Sequence, residues 1–276
     1  MKDHVKSAHA HIIKTYSKNP YSEWKRLVSN QKNGLEFTTT LHFLDKYLPK
    51  EGLVLDAGAG PGRYTMLLAK KGYEVVLLDA TKANVDLATR IAKKEGLTKK
   101  VKKLVQGRIE DLSEFPDNSF DAVLCLGGPL SHVMDKSLRV KAVKELLRVA
   151  KKGAPVFVSV MGRLMLLKGL LMKFQPELEA PYFKKFMETG DYFGGYGFTA
   201  FHGFMRDELL GLLEQAGANV VELAGLEGFG SHSESYLGRL YKNKKRWNVW
   251  LKAHIDSCTL PEIVGTSEHM LIVSRK

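Results

Sequence analysis

The 276 residues are enough for one large α/β domain or two modest ones, with a core that needs neither disulfides nor a structural metal. Hydrophobic residues at 44% and charged residues at 26% exclude a disordered or fibrous chain, and two cysteines, Cys125 and Cys258, exclude a disulfide framework or a four-ligand zinc site. The net charge of +12 admits nucleic acid or an anionic substrate, but the basic residues are scattered and read as solvated surface.

The cysteine usage points to a reducing, cytoplasmic setting. No apolar run approaches the roughly 18 residues of a spanning helix, and the polar, His-rich start (MKDHVKSAHAHIIK) lacks the apolar centre of a secretory signal. No membrane partner is expected. Residues 1–34 read as an N-terminal helical lid, with the aromatic and basic stretch Tyr16 to Leu27 suited to closing over a site. Residues 35–276 read as the main domain.

Leu35 to Leu48 has helical spacing and ends at Pro49. Leu53 to Leu55 is a buried strand running into a glycine loop, and Arg63 to Lys71 is a helix stopped by Gly72. Glu74 to Leu78 is a second strand, followed by a helix over Val85 to Lys94 that closes at Gly96. Val101 to Val105, Phe120 to Leu126 and Pro155 to Val160 are three more strands, with an amphipathic helix over Ser137 to Ala150. This alternation belongs to the doubly wound α/β class. It lapses over about 163–204, an apolar and aromatic insertion, and over about 225–265. Between and after these lie a helix over Arg206 to Gln215 and strands near 219–223 and 269–273.

The loop Asp56-Ala57-Gly58-Ala59-Gly60-Pro61-Gly62 sits between a strand and a helix. Glycine lets a ligand lie against the main chain, and the helix start offers free N–H groups. The loop fits a dinucleotide pyrophosphate or the amino-acid end of S-adenosylmethionine. The G-x-G-x-G spacing differs from the dinucleotide fingerprint, and Asp56 suits an ammonium better than a pyrophosphate. Asp79, ending the second strand, is placed to accept both hydroxyls of a ribose.

Taken as an ordered set, VLDAGAGPGRYT, LLDAT and EFPDNSFDAVLCLGG resemble motifs of the class I S-adenosylmethionine-dependent methyltransferases. The resemblance covers roughly Leu35 to Leu223. It implies a mostly parallel seven-stranded, Rossmann-like sheet with an antiparallel C-terminal hairpin, S-adenosylmethionine as cofactor and S-adenosylhomocysteine as product. It places Asp56, Gly58, Ala59 and Gly60 at the methionine portion, Asp79 at the ribose and Ala80 beside the adenine. Leu126 and Gly127 fall at the methionine end. Arg108 stands where many relatives carry the acid that receives the adenine amino group, which leaves that contact to the Ile109 backbone with Glu110 or Asp111 nearby.

Methyl transfer from a sulfonium is an in-line displacement that asks chiefly for alignment and exclusion of water. A base is needed only where the acceptor sheds a proton early. His132, after the fourth strand, and His202, before the helix that follows the insertion, are the candidates for catalysis or substrate contact, with His232 behind them. Their spacing is not that of metal ligands, and no metal is expected. Phe174, Tyr182, Phe183, Phe186, Tyr192, Phe193, Tyr196 and Phe198 either roof an apolar acceptor pocket or pack the insertion onto the sheet. The preferred partner is a small-molecule acceptor, with the insertions forming a substrate cap. RNA, DNA or protein methylation, an NAD(P)-dependent oxidoreductase and a non-catalytic nucleoside-binding protein are the competing readings. Oligomeric state is left open.

Overall fold

The computed structural model describes residues 2–173, 175–194 and 198–276, with side chains from Ser7 onward. Phe174 and Tyr196 of the expected aromatic roof lie outside the described residues. The chain opens with three helices, α1 (Lys2–Lys18), α2 (Pro20–Arg26) and α3 (Gln31–Tyr47). Asn19 and Asn30 begin α2 and α3 by accepting from Ser22 N and Asn33 N. The cap at Asn30 starts α3 four residues before its apolar spacing begins. Leu48 is extended, as a residue before proline must be, and ends it.

The alternating part follows as β1 (Leu53–Ala57), α4 (Arg63–Lys70), β2 (Glu74–Asp79), α5 (Lys82–Lys94), β3 (Val101–Gln106), β4 (Ala122–Cys125), α6 (Lys136–Val149) and β5 (Pro155–Met161). The first insertion holds α7 (Met165–Met172), α8 (Pro181–Thr189) and a two-stranded ribbon of β6 (Asp191–Tyr192) and β7 (Phe201–His202). After α9 (Arg206–Gln215) and β8 (Asn219–Gly225), the second stretch is mostly helical, with α10 (Glu234–Tyr241), α11 (Lys244–Ser257) and α12 (Pro261–Val264) before β9 (His269–Arg275). It had read as irregular because α11 is largely polar. Its ordering face is confined to Trp247, Trp250, Leu251 and His254 at helical spacing, with Trp250 stacked on both Trp247 and His254.

The sheet runs β3-β2-β1-β4-β5-β9-β8, with the first five strands parallel and β9 antiparallel to both neighbours. Strand alternation gives it two apolar faces. Leu55, Val123, Cys125 and Val158 pack with Val143, Leu146, Leu209 and Leu213 of α6 and α9. Val54, Val75, Leu77 and Phe157 pack on the opposite face with Phe43, Leu44, Met66 and Ala88 of α3, α4 and α5. Both cysteines are buried. Most aromatics of the first insertion pack among themselves, with Phe186, Tyr192 and Phe201 forming a cluster with Met161 at the end of β5. Among the described residues, no helix is long and apolar enough to cross a membrane.

Candidate active site

The strand register puts Ala57 beside Leu78, so the glycine loop leaves the sheet next to Asp79. Gly58 N and Ala59 N both donate to Leu78 O, at 2.7 and 3.1 Å, and Gly60 N donates to Asp79 Oδ2 at 2.8 Å. Asp79 Oδ1 accepts from Thr81 N at 2.8 Å and Asn84 Nδ2 at 3.1 Å. Burial raises the Asp79 carboxyl from its ordinary range, and these donors oppose the rise. Gly58 has a φ of +76°, and a Cβ there would lie 2.5 Å from the Pro129 ring, so a side chain has no room.

At the end of β4, Gly127 N donates to Ser159 Oγ at 2.7 Å, and Gly127 and Gly128 both adopt positive φ. The chain then makes a single 3-10 turn, Pro129–His132, which Ser131 Oγ ties to the end of β5 by accepting from Met161 N. Those two turns carry His132 to the carboxyl ends of the strands, where such sheets bind ligands.

One cavity joins these pieces. Gly58, Ala59, Gly60, Asp79, Ala80, Ile109, Glu110, Leu126, Gly127 and His132 all line it. Glu110 is paired with Arg108, the residue in the usual acid position. α1 and α2 cover the cavity with Ile12, Ile13, Tyr16, Glu23 and Arg26. All of these lie in the stretch 1–34 that the sequence reads as a lid, but no individual role was legible there for Ile12, Ile13, Glu23 or Arg26. Their signal was available in part, since Glu23 and Arg26 stand one helical turn apart.

Two expected site residues do not line the cavity. Asp56 follows Val54 on the sheet face toward α4, where its Oδ2 accepts from Thr65 Oγ1 at 2.6 Å. Its Oδ1 has no hydrogen-bond partner among the described residues, and burial pushes its pKa up to about 6. His202 corrects the expectation of a substrate contact. It is 1% exposed on β7, its Nδ1 is 2.7 Å from Asp191 and its Nε2 is 2.7 Å from Glu208, so both ring nitrogens are engaged away from the cavity. His232 is likewise held elsewhere, its Nε2 3.0 Å from Met165 O.

His132 reaches the cavity with its tautomer set by its neighbours. Nδ1 lies 2.9 Å from Ala200 O, which can only accept, so Nδ1 carries the proton and Nε2 receives the Tyr16 hydroxyl at 2.8 Å. Burial pushes the imidazole down to about 4 and raises the Tyr16 phenol well above its ordinary value. At neutral pH the pair is uncharged.

Beneath α2 runs a buried charge network. Arg26 donates to both oxygens of Glu36, at 2.5 and 2.9 Å, and His269 Nδ1 lies 2.7 Å from Glu227 Oε1 and 3.9 Å from Glu36. Burial opposes ionisation of Glu36, but Arg26 and His269 hold its pKa down to about 2. Glu36, Glu227 and His269 have the composition of a metal site, yet the Arg26 fork and the His269 proton already occupy those oxygens. Burial likewise opposes charge on His269, yet Glu36 and Glu227 lift its pKa to about 9. The folded state therefore binds a proton that the unfolded chain releases near 6.5. The stabilisation is full below pH 6.5 and lost as pH rises through about 9. We expect the melting temperature to fall between pH 6.5 and 9.5, by an amount corresponding to about 1–3 kcal/mol, and the fall to be largely absent in H269Q. Thermal melts of both proteins across that range measure it; equal slopes would count against the network.

The family model described as a methyltransferase domain matches residues 54–153. The ubiquinone biosynthesis O-methyltransferase of Hahella chejuensis is 33% identical over 124 residues, 45% of this chain and 49% of that protein. The chain thus spans about half the length of the curated relatives it matches. Among solved structures, a SAM-dependent methyltransferase from Methanosarcina mazei superposes with a TM-score of 0.59 at 22% identity, over 85% of this chain and 96% of that one. The 1,6-didemethyltoxoflavin-N1-methyltransferase of Burkholderia thailandensis, solved with 1,6-didemethyltoxoflavin and S-adenosylhomocysteine bound, gives 0.59 at 14% identity over 97% and 88%. At these identities the structural matches speak to the fold.

Proposed function

We propose that the chain is a class I S-adenosylmethionine-dependent methyltransferase that transfers a methyl group from S-adenosylmethionine to a small-molecule acceptor. The observation that carries this reading is the single cavity uniting the glycine loop, Asp79, Ile109 and Gly127 under α1 and α2. Its residues fit the nucleoside. Asp79 keeps one acceptor position, on Oδ2, for a ribose hydroxyl beyond its three protein donors, Ala80 and Ile109 line the part of the cavity suited to adenine, and the turns at Gly58 and Gly127 leave no Cβ in the way of a methionine chain.

S-adenosylmethionine, when bound, contributes a methyl group already activated by the sulfonium charge. The protein's part is alignment and dryness, which α1 and α2 provide by closing over the strand ends. Tyr16 and His132 present an uncharged hydrogen-bonded pair at the cavity wall, fitted to orient an acceptor by hydrogen bonding rather than to hold its proton. A small acceptor is favoured because the covered, partly apolar wall of Ile12, Ile13, Met134 and Leu138 suits a compact ligand better than a polymer strand. The Hahella protein is named for ubiquinone biosynthesis, which points the same way.

Calorimetry with S-adenosylhomocysteine and with NAD(P)+ tests the cofactor, and heat is expected from the first alone. Binding of the nicotinamide instead would replace the reading with an oxidoreductase. Labelled methyl donor then tests the acceptor class: transfer to bulk RNA or protein, and to no member of a small-molecule panel, would overturn that part.

A further inference from the structure

Tyr16 of α1 and His132 of the turn after β4 meet at the cavity wall, and the direction of their hydrogen bond is fixed from behind. Ala200 O can only accept, so it takes the Nδ1 proton at 2.9 Å, and Nε2 is left as a lone pair for the Tyr16 hydroxyl at 2.8 Å. The phenol has one hydrogen, and it points at His132. What the Tyr16 oxygen presents to the rest of the cavity is lone pairs, and among the described residues no donor meets them. The imidazole, engaged at both nitrogens and buried, has no free position for a further proton.

Both facts bear on what can be methylated here. A group facing Tyr16 Oη has to bring its own N–H or O–H, which turns away carboxylates, carbonyls and thioethers. It also has to keep that hydrogen while the methyl group arrives. A hydroxyl that attacks a methyl group must shed its proton, and the Tyr16–His132 pair has nowhere to put it. An amine bearing an N–H need not, because its lone pair attacks while the N–H on the same atom stays on Tyr16 Oη. The nitrogen must enter uncharged, since an ammonium has no lone pair. Aliphatic amines are protonated at neutral pH, whereas aromatic amines are largely not. The nearby wall of Ile12, Ile13, Met134 and Leu138 suits such a ring. Glu23 lines the same cavity and is the charged group that acts most strongly on the Tyr16 hydroxyl, so it is placed to offset the positive charge the nitrogen acquires.

We propose that the methyl acceptor is a neutral aromatic or heteroaromatic amine, held by an N–H donated to Tyr16 Oη. The inference rests on the methyltransferase reading and narrows its acceptor. As the nitrogen lone pair forms the new N–C bond, the S–C bond of the donor breaks and its electron pair returns to sulfur. The nitrogen keeps its hydrogen, leaves as an N-methylammonium and loses the proton to water after release.

The test uses matched sets on ring systems of increasing size: an aryl amine, its N,N-dimethyl derivative and the phenol on the same ring. Titrated into protein saturated with S-adenosylhomocysteine, the amine is expected to bind about three- to tenfold more tightly than its dimethyl derivative, and Y16F to close that gap while its affinity for S-adenosylhomocysteine stays within about twofold. With labelled methyl donor, the amine is expected to be methylated and the phenol not. Methylation of phenols in place of amines overturns the acceptor class, as does a gap that Y16F leaves unchanged. Melts accompany the titrations, and should Y16F fail to fold, the wild-type comparison of amine with phenol decides. Wild-type protein that binds S-adenosylhomocysteine but neither binds nor methylates any amine of the series sinks the acceptor class alone, whereas failure to bind S-adenosylhomocysteine removes the methyltransferase reading beneath it.

Discussion

Gly58→Ala should abolish binding of S-adenosylhomocysteine and destabilise the fold by about 2–5 kcal/mol. Two costs combine. A left-handed backbone charges a side chain about 1–2 kcal/mol, and the Cβ would stand 2.5 Å from Cβ and Cγ of Pro129. A proline ring cannot swing aside, so the clash has to move the 3-10 turn that bears His132, an overpacking cost of about 1–3 kcal/mol. Gly60 is the control. Its φ is +56°, but an added Cβ meets nothing within 4 Å. Gly60→Ala should therefore show only the backbone cost. Urea unfolding and calorimetry on the two variants separate strain from collision, and equal destabilisation would show that Pro129 does not brace the loop.

Asp79→Ala should weaken binding of S-adenosylhomocysteine by about 1.5–3 kcal/mol, roughly 10- to 100-fold. The carboxylate stands at a junction. It accepts from Gly60 N, Thr81 N and Asn84 Nδ2, and so joins the glycine loop to the start of α5. Removing it takes away the proposed ribose acceptor and leaves three donors without their partner. Lower stability is expected alongside weaker binding. Asp79→Asn separates the two effects in part, because it keeps the shape and an acceptor oxygen while losing the charge. Titration of both variants gives the result, and full affinity in Asp79→Ala would reject the ribose assignment.

The strand–helix alternation was legible because it is written in local periods. β1, β2 and β5 are near-continuous apolar runs, interrupted by Asp56 in β1 and Ser159 in β5 and flanked by Glu74 and Asp79 in β2, as strands covered on both faces are. The loop at Gly58 and the acid at Asp79 were legible for a related reason: a strand, a tight turn and a helix start occupy consecutive residues. Element ends shifted where capping decided them, as at Asn30, whose side chain begins α3 ahead of its apolar face. The helices between Gly225 and His269 were missed because a mostly polar helix orders only against the surface that receives its few apolar residues.

The candidate site divides along the same line. Asp56 looked equivalent to Asp79 as an acid ending a strand, and His202, ahead of the helix after the insertion, stood beside His132 as a histidine candidate. Side-chain alternation turned Asp56 toward α4, and the β6–β7 ribbon enclosed His202 between Asp191 and Glu208. By itself, then, the sequence determined the doubly wound sheet and the nucleoside-shaped loop, since both follow from the spacing of neighbouring residues. Only the tertiary structure decided that Tyr16 meets His132, 116 positions away, and that Arg26 pairs with Glu36 over Gly127. Such meetings depend on which surfaces pack together, and no local period records that.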